Sequence, residues 1–183
     1  PPVGYKYPGG AIIWGEMWID EARGIVYLRT GSATADFYGG DRHGQNLFAN
    51  CILALDVRTG KRLWHFQTVH HDLWDYDMPA PPNLITIERD GKMVDAVAQV
   101  TKMGMVFVFN RDTGEPIFPI EERPVPASSL LGEETSPTQP FPTKPAAIEM
   151  QGVTENDLVD FTPEIKAEAV RVARQFRLGG IYT

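Results

Sequence analysis

The stretch that decides the fold is Ala54–Trp64, which reads ALDVRTGKRLW and returns at Val108–Phe118 as VFNRDTGEPIF. Each copy reads as a strand, an Asp or Asn turn ending in Thr-Gly, a charged residue, and a short strand closing on an aromatic residue. Glycine suits such turns because it adopts a positive φ without steric cost. A repeat of about 50 residues that contains several strands indicates a propeller or a similar array.

Around the repeat, the chain from Ala11 to about Phe118 alternates short β-rich runs with turn clusters such as Arg23-Gly24 and Asp90-Gly91. A propeller blade has four strands and about 50 residues, so we predict an all-β partial propeller of about three blades, with blades filling residues 1–120. The predicted strands are Ala11–Ile19, Ile25–Thr30, Asn50–Asp56, Arg62–Thr68, Asn83–Glu88, Ala96–Lys102, Met105–Asn110 and a short one near Pro116–Phe118.

The last third of the chain differs from the rest in composition and in its predicted secondary structure. Prolines cluster in residues 121–161, which predicts a long irregular insert belonging to the same domain. Residues 162–183 predict one surface helix and the start of a next strand. The helix should run from Pro163 to Phe176, with Thr162 as its N-cap and Gly179-Gly180 ending it. Its apolar stripe would consist of Ile165, Ala169, Val172 and Phe176.

Composition excludes several classes of protein. The chain has 183 residues and a formal net charge of −7, which argues against a nucleic-acid binder with its basic patch. No apolar run reaches the about 18 residues of a membrane helix, so membrane association would come only from parts outside this chain. The lone Cys51 excludes an internal disulfide framework. Pro1 and Thr183 both look like cut ends, so we expect a piece of a larger protein.

The first copy of the repeat resembles the tryptophan-docking motif of the quinoprotein alcohol dehydrogenases, which are eight-bladed propellers carrying pyrroloquinoline quinone (PQQ). Ala54, Asp56, Gly60 and Trp64 fit the pattern Ala-x-Asp-x-x-x-Gly-x-x-x-Trp. The resemblance implies that the indole stacks between neighbouring blades. The second copy has Asn110 for Asp and Phe118 for Trp, which predicts a weaker joint there.

A longer resemblance covers Phe66–Pro79, FQTVHHDLWDYDMP, which is similar to the active-site segment of the membrane-type quinoprotein glucose dehydrogenases. Val100–Gly104, Glu121–Pro126 and Ser136–Pro140 also read as segments of that family. The resemblance implies a PQQ-dependent dehydrogenase that oxidises a sugar such as glucose, a polyol or an alcohol. It further implies a periplasmic location and ubiquinone or a c-type cytochrome as electron acceptor.

Three residues take roles in the chemistry by this resemblance. Asp75 would be the general base that takes the substrate hydroxyl proton while a hydride leaves for the quinone. Lys102 would hydrogen-bond the quinone oxygens and stabilise their charge. Trp14 would form the floor under the PQQ ring, because indole offers the widest aromatic face. The alternatives are an acidic surface loop, a solvated strand-end lysine and an ordinary core tryptophan.

The metal site is predicted from the same loop. Asp75 and Asp77 would share a cation, with Ca²⁺ as the default because hard cations favour carboxylate oxygens, and a lanthanide as the alternative. Ser32 stands where methanol-type relatives carry an asparagine ligand. Water would bridge the gap, Asp77 would compensate, or the metal site is degraded, in which case the protein would be an inactive propeller scaffold for protein partners.

Nearby polar residues are candidates for the pocket wall. His70 and His71 lack a recognised metal-ligand spacing, and we expect one of them to hydrogen-bond substrate or Asp75. Asp36 and Arg42 flank a glycine-rich stretch that fails the phosphate-loop spacing and reads as a loop beside the pocket. We expect the isolated 183-residue chain to be inactive, because its propeller ring would be open and the ligands that relatives carry upstream would be missing.

Overall fold

A computed structural model describes residues 10–183 and shows antiparallel sheets following one another along the chain. The first sheet has four strands in sequence order, and the second has three. The four are β1 (Trp18–Asp20), β2 (Ile25–Arg29), β3 (Cys51–Asp56) and β4 (Arg62–Gln67), and the three are β5 (Asn83–Arg89), β6 (Lys92–Val100) and β7 (Val106–Asn110). Pro116 adds a single bridge to Phe109 at the edge of the second sheet.

Two small sheets and a helix complete the described part of the chain. Strands β8 (Ile120–Pro124) and β9 (Thr138–Pro142) pair as one sheet, and β10 (Gly152–Val153) pairs with β11 (Gly179–Gly180) as another. Helix α1 (Pro163–Ala173) begins at the predicted N-cap, where the Thr162 side chain accepts a hydrogen bond from the backbone N–H of Ile165. No helix in residues 10–183 has the length and apolarity to cross a bilayer.

These elements confirm an all-β chain that forms part of a propeller, with one helix and a proline-rich segment. Where three blades are predicted, residues 10–183 hold one four-stranded sheet, one three-stranded sheet and two two-stranded sheets. The insert is more regular than predicted, because β8 and β9 run through it.

Three predicted elements were wrong in extent. The strand predicted as Ala96–Lys102 is β6, which begins four residues earlier and ends two residues earlier, at Lys92–Val100. Of the expected strand Ala11–Ile19, only Trp18 and Ile19 lie in a strand, and the carbonyl of Glu16 accepts from the Arg29 guanidinium instead of from a neighbouring strand. The helix ends at Ala173, before Phe176, and Gly179-Gly180 pairs in β11 instead of capping the helix. Its predicted stripe is exposed at three positions, namely Ile165 (42%), Val172 (41%) and Phe176 (68%).

The two large sheets meet at Trp64. Its indole lies between Tyr27 and Phe109, at ring-centroid distances of 5.9 and 5.8 Å, and its Nε1–H donates to the carbonyl of Arg111 at 2.9 Å. A Cβ on Gly114 would stand 2.6 Å from the indole, so the turn of the second copy lies directly against the tryptophan of the first. This contact confirms the predicted docking of the indole between sheets.

An ion-pair network lies beside the indole. Arg23 of the β1–β2 turn contacts Asp20 at 3.0 Å, Asp95 of β6 at 2.7 Å and Asp112 at 2.9 Å. Arg111 contacts Asp20 at 3.1 Å. Since these pairs connect both sheets, the joint combines apolar packing with charge pairing. The buried core beneath it consists mainly of Tyr27, Ile52, Val97, Met103, Phe107 and Phe109.

Candidate active site

Backbone hydrogen bonds continue the first sheet beyond its strand ends and assemble the candidate site. The N–H of Gly31 donates to Ile12, that of Asn50 to Gly31, and that of Thr68 to Asn50, at 2.8–3.0 Å. These bonds bring the segment carrying Trp14, the turn carrying Ser32 and the loop after β4 to the same end of the sheet. Residues far apart in the sequence therefore meet there.

The acidic loop converges on one lysine. Lys102 Nζ lies 2.9 Å from Asp75 Oδ2 and 2.5 Å from Asp77 Oδ1, and it also donates to the Asp75 carbonyl at 3.0 Å. The side chains of Lys102 and Asp75 are about one-third exposed, at 35% and 31%, while that of Asp77 is 9% exposed. The structure thus brings together three of the residues that the sequence singles out, with Asp75 accessible to a small molecule.

Electrostatics at this cluster favour charge on the lysine. Partial burial lowers the pKa of Lys102, but hydrogen bonds and charge from Asp77 and Asp75 outweigh it, so the net pKa is raised. Asp75 has a φ of +58°, a left-handed conformation that is uncommon outside glycine. Such strained backbone is concentrated at functional sites, because surrounding contacts must hold it.

Ser32 contacts a different carboxylate. Its hydroxyl donates to Asp72 Oδ2 at 2.5 Å and accepts from Asn50 Nδ2 at 3.2 Å. Asn50 Nδ2 also donates to Asp72 Oδ2, at 3.0 Å. Asp72 and Asn50 are 1% and 0% exposed, so this network lies beneath the loop. Ser32 therefore hydrogen-bonds two buried side chains, those of Asp72 and Asn50, and neither Asp75 nor Asp77.

Trp14 is 48% exposed and borders Gly31, where a Cβ would stand 3.0 Å from the indole nitrogen. The guanidinium of Arg29 lies 5.8 Å from the centroid of the indole. Arg29 itself is 2% exposed and donates to the carbonyls of Glu16 at 2.8 Å and Pro79 at 2.6 Å. It thereby ties the Trp14 segment to the end of the acidic loop.

Sequence reasoning missed Arg29, although one signal exists. A Cβ on Gly15 would stand 2.0 Å from an Arg29 terminal nitrogen, so the small residue beside Trp14 admits the guanidinium. Burial lowers the pKa of Arg29, against the opposing charges of Asp77 and Glu16. The sequence does show an arginine, Arg29, at the end of a predicted strand and a glycine, Gly15, directly after Trp14. These two residues were the available sign that an arginine side chain could lie beside the tryptophan.

The two histidine rings hydrogen-bond groups other than Asp75. His70 Nε2 lies 3.0 Å from Glu122 Oε1, and His71 Nδ1 lies 2.5 Å from the Gly44 carbonyl. The backbone N–H of His70 donates to Gln139 Oε1 at 2.8 Å, and Gln139 Nε2 donates back to the His70 carbonyl at 2.7 Å. The β8–β9 hairpin of the proline-rich segment thus holds the start of the acidic loop.

Asp36 and Arg42 lie against the same loop. Burial raises the pKa of Asp36, with further contributions from the charges of Asp75 and Asp72. Arg42 donates to the carbonyls of Ala35 at 2.9 Å and Asp72 at 2.8 Å. Both residues therefore belong to the surroundings of the site, Asp36 through charge and Arg42 through backbone contacts.

A cavity of about 480 Å³ opens beside Lys102. Its wall includes Tyr76, Met103, Arg177 and the segment 178–181. Tyr76 is fixed there because its hydroxyl donates to the Ile181 carbonyl at 2.6 Å. Among residues 10–183, no three His, Cys, Asp or Glu side chains converge as a metal cluster.

Several known proteins are similar to this chain in sequence. A family model described as the PQQ glucose/ethanol/alcohol dehydrogenase β-propeller domain matches residues 3–183. The chain belongs to this family. It is 40% identical over 153 residues to the glycerol dehydrogenase large subunit of Gluconobacter oxydans (strain 621H), covering 82% of this chain and 21% of that protein.

Two further quinoproteins are similar. Quinoprotein glucose dehydrogenase A of Acinetobacter calcoaceticus is 44% identical over 135 residues, covering 70% of this chain and 17% of that protein. A solved europium-containing methanol dehydrogenase superposes with a TM-score of 0.56 at 28% identity, covering 59% of this chain and 19% of that one. This PQQ-family chain therefore spans about a fifth of the length of the curated relatives it matches.

Proposed function

We propose that this chain forms the part of a PQQ-dependent dehydrogenase that carries its general base, and that the whole protein oxidises a sugar, polyol or simple alcohol. The observation that carries the proposal is the convergence of Asp75 and Asp77 on Lys102, which itself lines a cavity. Family membership supports the reaction class, and relatives described as glycerol and glucose dehydrogenases support hydroxyl-bearing substrates.

Asp75 would take the hydroxyl proton of the substrate. Its carboxylate is partly exposed, and its Oδ2 lies 2.9 Å from the Lys102 ammonium. A positioned carboxylate of this kind contributes about 10²–10⁴-fold to a proton transfer. Lys102, whose pKa is raised, would stay charged at neutral pH and stabilise negative charge that develops beside it.

The described residues fit PQQ. Trp14 leaves nearly half of its surface free, at 48%, and an indole is a broad surface on which a flat ring stacks. Lys102 supplies an ammonium group beside the cavity. Trp14 and Lys102 would hold the quinone, and PQQ, when bound, supplies the acceptor for the hydride that leaves the substrate carbon.

Asp75 and Asp77 would offer carboxylate oxygens to a hard cation, which prefers such ligands, in place of the contact that both now make with the Lys102 ammonium. A cation held there would supply Lewis-acid polarisation of an oxygen next to it. Ca²⁺ and a lanthanide share this ligand chemistry. The likeness to a europium-containing methanol dehydrogenase favours including the lanthanide as the second candidate, with a small alcohol as substrate.

The test uses the intact protein, loaded with PQQ and either Ca²⁺ or La³⁺, and measures dye-linked oxidation of glucose, glycerol and ethanol. Asp75→Asn should lower kcat by about 10²–10⁴-fold. Asp90→Asn is the matched control, because Asp90 also has a positive φ, +51°, but lies in the exposed β5–β6 turn. Asparagine tolerates this conformation, so both variants preserve the backbone.

Each outcome is informative. Turnover lost in Asp75→Asn and kept in Asp90→Asn supports the base, and the preferred cation and substrate define the subclass. Wild-type protein that neither turns over nor binds PQQ with either cation contradicts the proposal and favours the protein-binding scaffold. We propose ubiquinone or a c-type cytochrome as the electron acceptor, and the periplasm as the location.

A further inference from the structure

The buried carboxylate of Asp72 has no place in the chemistry proposed above, yet it makes more hydrogen bonds than Asp75 or Asp77. We propose that Asp72, held by Ser32 and Asn50, is the positioning residue that sets the backbone on both sides of Asp75. The kinetic half of this inference rests on the proposed function, whereas its structural half does not.

The contacts of Asp72 bracket the candidate base. Its Oδ1 accepts from the backbone N–H of Trp74 at 3.0 Å, and its Oδ2 accepts from the N–H of Tyr76 at 2.8 Å. These two amides flank Asp75, whose φ is +58°. Left-handed backbone is unfavourable for a residue with a Cβ, so a compensating set of contacts is required. Two bonds to one carboxylate supply it.

The carboxylate is in turn held from below. Ser32 Oγ and Asn50 Nδ2 donate to Oδ2 at 2.5 and 3.0 Å. With the two amides, Asp72 therefore accepts four hydrogen bonds while 1% exposed. A buried carboxylate requires such partners, because unpaired burial of its charge is strongly unfavourable. An amide at this position would turn its NH₂ group toward one set of donors and lose their bonds.

Asp72 acts through Asp75 and not on the substrate. Its side chain is enclosed, and the partners of its oxygens are Ser32, Asn50 and the two backbone amides, whereas Lys102 contacts Asp75 and Asp77. Within the loop, the carboxylate of Asp72 therefore contacts the backbone, whereas those of Asp75 and Asp77 contact Lys102, which lines the cavity. This assigns Ser32 a role as the support of Asp72.

Hydrogen exchange of backbone amides in the intact protein tests the structural half without PQQ, metal or turnover. In Asp72→Asn, exchange at the amides of Trp74 and Tyr76 should rise at least about tenfold, because a hydrogen bond to a charged acceptor is lost. Amides of β6 should be unchanged, since general destabilisation would accelerate them too.

Asp56→Asn is the matched control. Asp56 also caps backbone amides, accepting from those of Arg58 and Thr59, but the second copy of the repeat carries Asn110 at the same turn position. Asparagine is therefore compatible with that turn. This control should leave the amides of Trp74 and Tyr76 and the kcat of the enzyme as in wild type.

Kinetics tests the coupling to Asp75. Asp72→Asn should lower kcat by about a hundredfold with KM unchanged, as misplacement of a catalytic group does. In an Asp75→Asn background it should lower kcat no further, because both changes remove the same function. If Asp72→Asn fails to fold, Ser32→Ala replaces it: removing one donor from Oδ2 should give the same pattern with smaller changes.

Two results would overturn the inference: unchanged exchange at Trp74 and Tyr76, or a kcat loss that multiplies with that of Asp75→Asn. A wild-type protein without turnover would refute the proposed function alone, and hydrogen exchange would still decide whether Asp72 anchors the loop. Faster exchange confined to the two amides, together with non-additive kinetics where turnover exists, would support it.

Discussion

The two copies of the repeat fold into the same turn. In the first, Asp56 Oδ1 accepts from the Thr59 N–H at 2.8 Å and Gly60 has a φ of +68°. In the second, Asn110 Oδ1 accepts from the Thr113 N–H at 3.1 Å and Gly114 has a φ of +74°. A side-chain oxygen that caps the turn and a glycine that closes it are sufficient for this geometry.

Their surroundings differ completely. A Cβ on Gly60 would meet nothing within 4 Å, whereas a Cβ on Gly114 would stand 2.6 Å from the Trp64 indole. Arg111 and Asp112 of the second turn pair with Asp20 and Arg23 across the sheets. Val57, the counterpart of Arg111, is 47% exposed. Local sequence therefore determines the shape of a turn, but the neighbouring sheet determines how much stability depends on it.

The largest effect should follow loss of the docked indole. Trp64→Ala should lower the free energy of unfolding of the intact protein by about 3–5 kcal/mol, since Trp64 is 8% exposed and its removal leaves a cavity between the sheets. Chemical denaturation followed by far-UV circular dichroism would measure it, because that signal does not depend on the tryptophan.

Phe118→Ala is the control from the second copy, because Phe118 occupies the equivalent position and is only half-buried. It should have a clearly smaller effect. Equal decreases in the free energy of unfolding would mean that both aromatic residues stabilise the protein to a similar extent. The two copies would then not differ in this respect.

The next effect compares the two glycines directly. Gly60→Ala and Gly114→Ala both place a Cβ on left-handed backbone, at a cost of about 1–2 kcal/mol. Gly114→Ala should lose about 1–3 kcal/mol more, because its Cβ also overlaps Trp64. Free energies of unfolding of both variants would measure the difference. Equal decreases in the free energy of unfolding for the two variants would show that the Trp64 indole can shift to accommodate the added Cβ at little cost.

Sequence alone predicts those parts of the fold that depend on neighbours along the chain. The turns at Gly60 and Gly114 and the cap at Thr162 follow from local residue types, and the structure has all three. The strand expected over Ala11–Ile19 is mostly absent, and the side chain of Arg29, which is distant in sequence, binds the carbonyl of Glu16 within this segment. Apolar residues such as Ile12 and Ile13, 64% and 45% exposed, therefore gave a misleading signal there.

The candidate site divides in the same way. Residue type and family resemblance singled out Asp75, Asp77 and Lys102, and the structure brings them together, while their roles stay predictions. The division between Asp72 and Asp75 was not predictable from their spacing. It arises because Ser32 and Asn50, 40 and 22 residues before Asp72, reach its carboxylate across strand ends. Gln139 likewise reaches His70 from 69 residues away.

The smallest effect concerns the charges that only the second turn contributes to the joint. Burial raises the pKa of Asp20, but hydrogen bonds and charge from Arg23 and a hydrogen bond from Arg111 outweigh it, so the net pKa is lowered. A lowered pKa means that the unfolded chain binds the proton more tightly. The stabilisation is therefore full above the ordinary aspartate value of about 3.9 and is lost as pH falls through the folded-state pKa.

Asp20→Asn should accordingly destabilise the protein at pH 7 by up to about 1 kcal/mol, and this difference from wild type should shrink below about pH 4. Denaturant titrations at several pH values would measure it, with the exposed Asp160→Asn as the matched substitution. A deficit that stayed constant with pH would assign the joint to packing around Trp64 alone, and the two turns would then differ only in the indole that one of them receives.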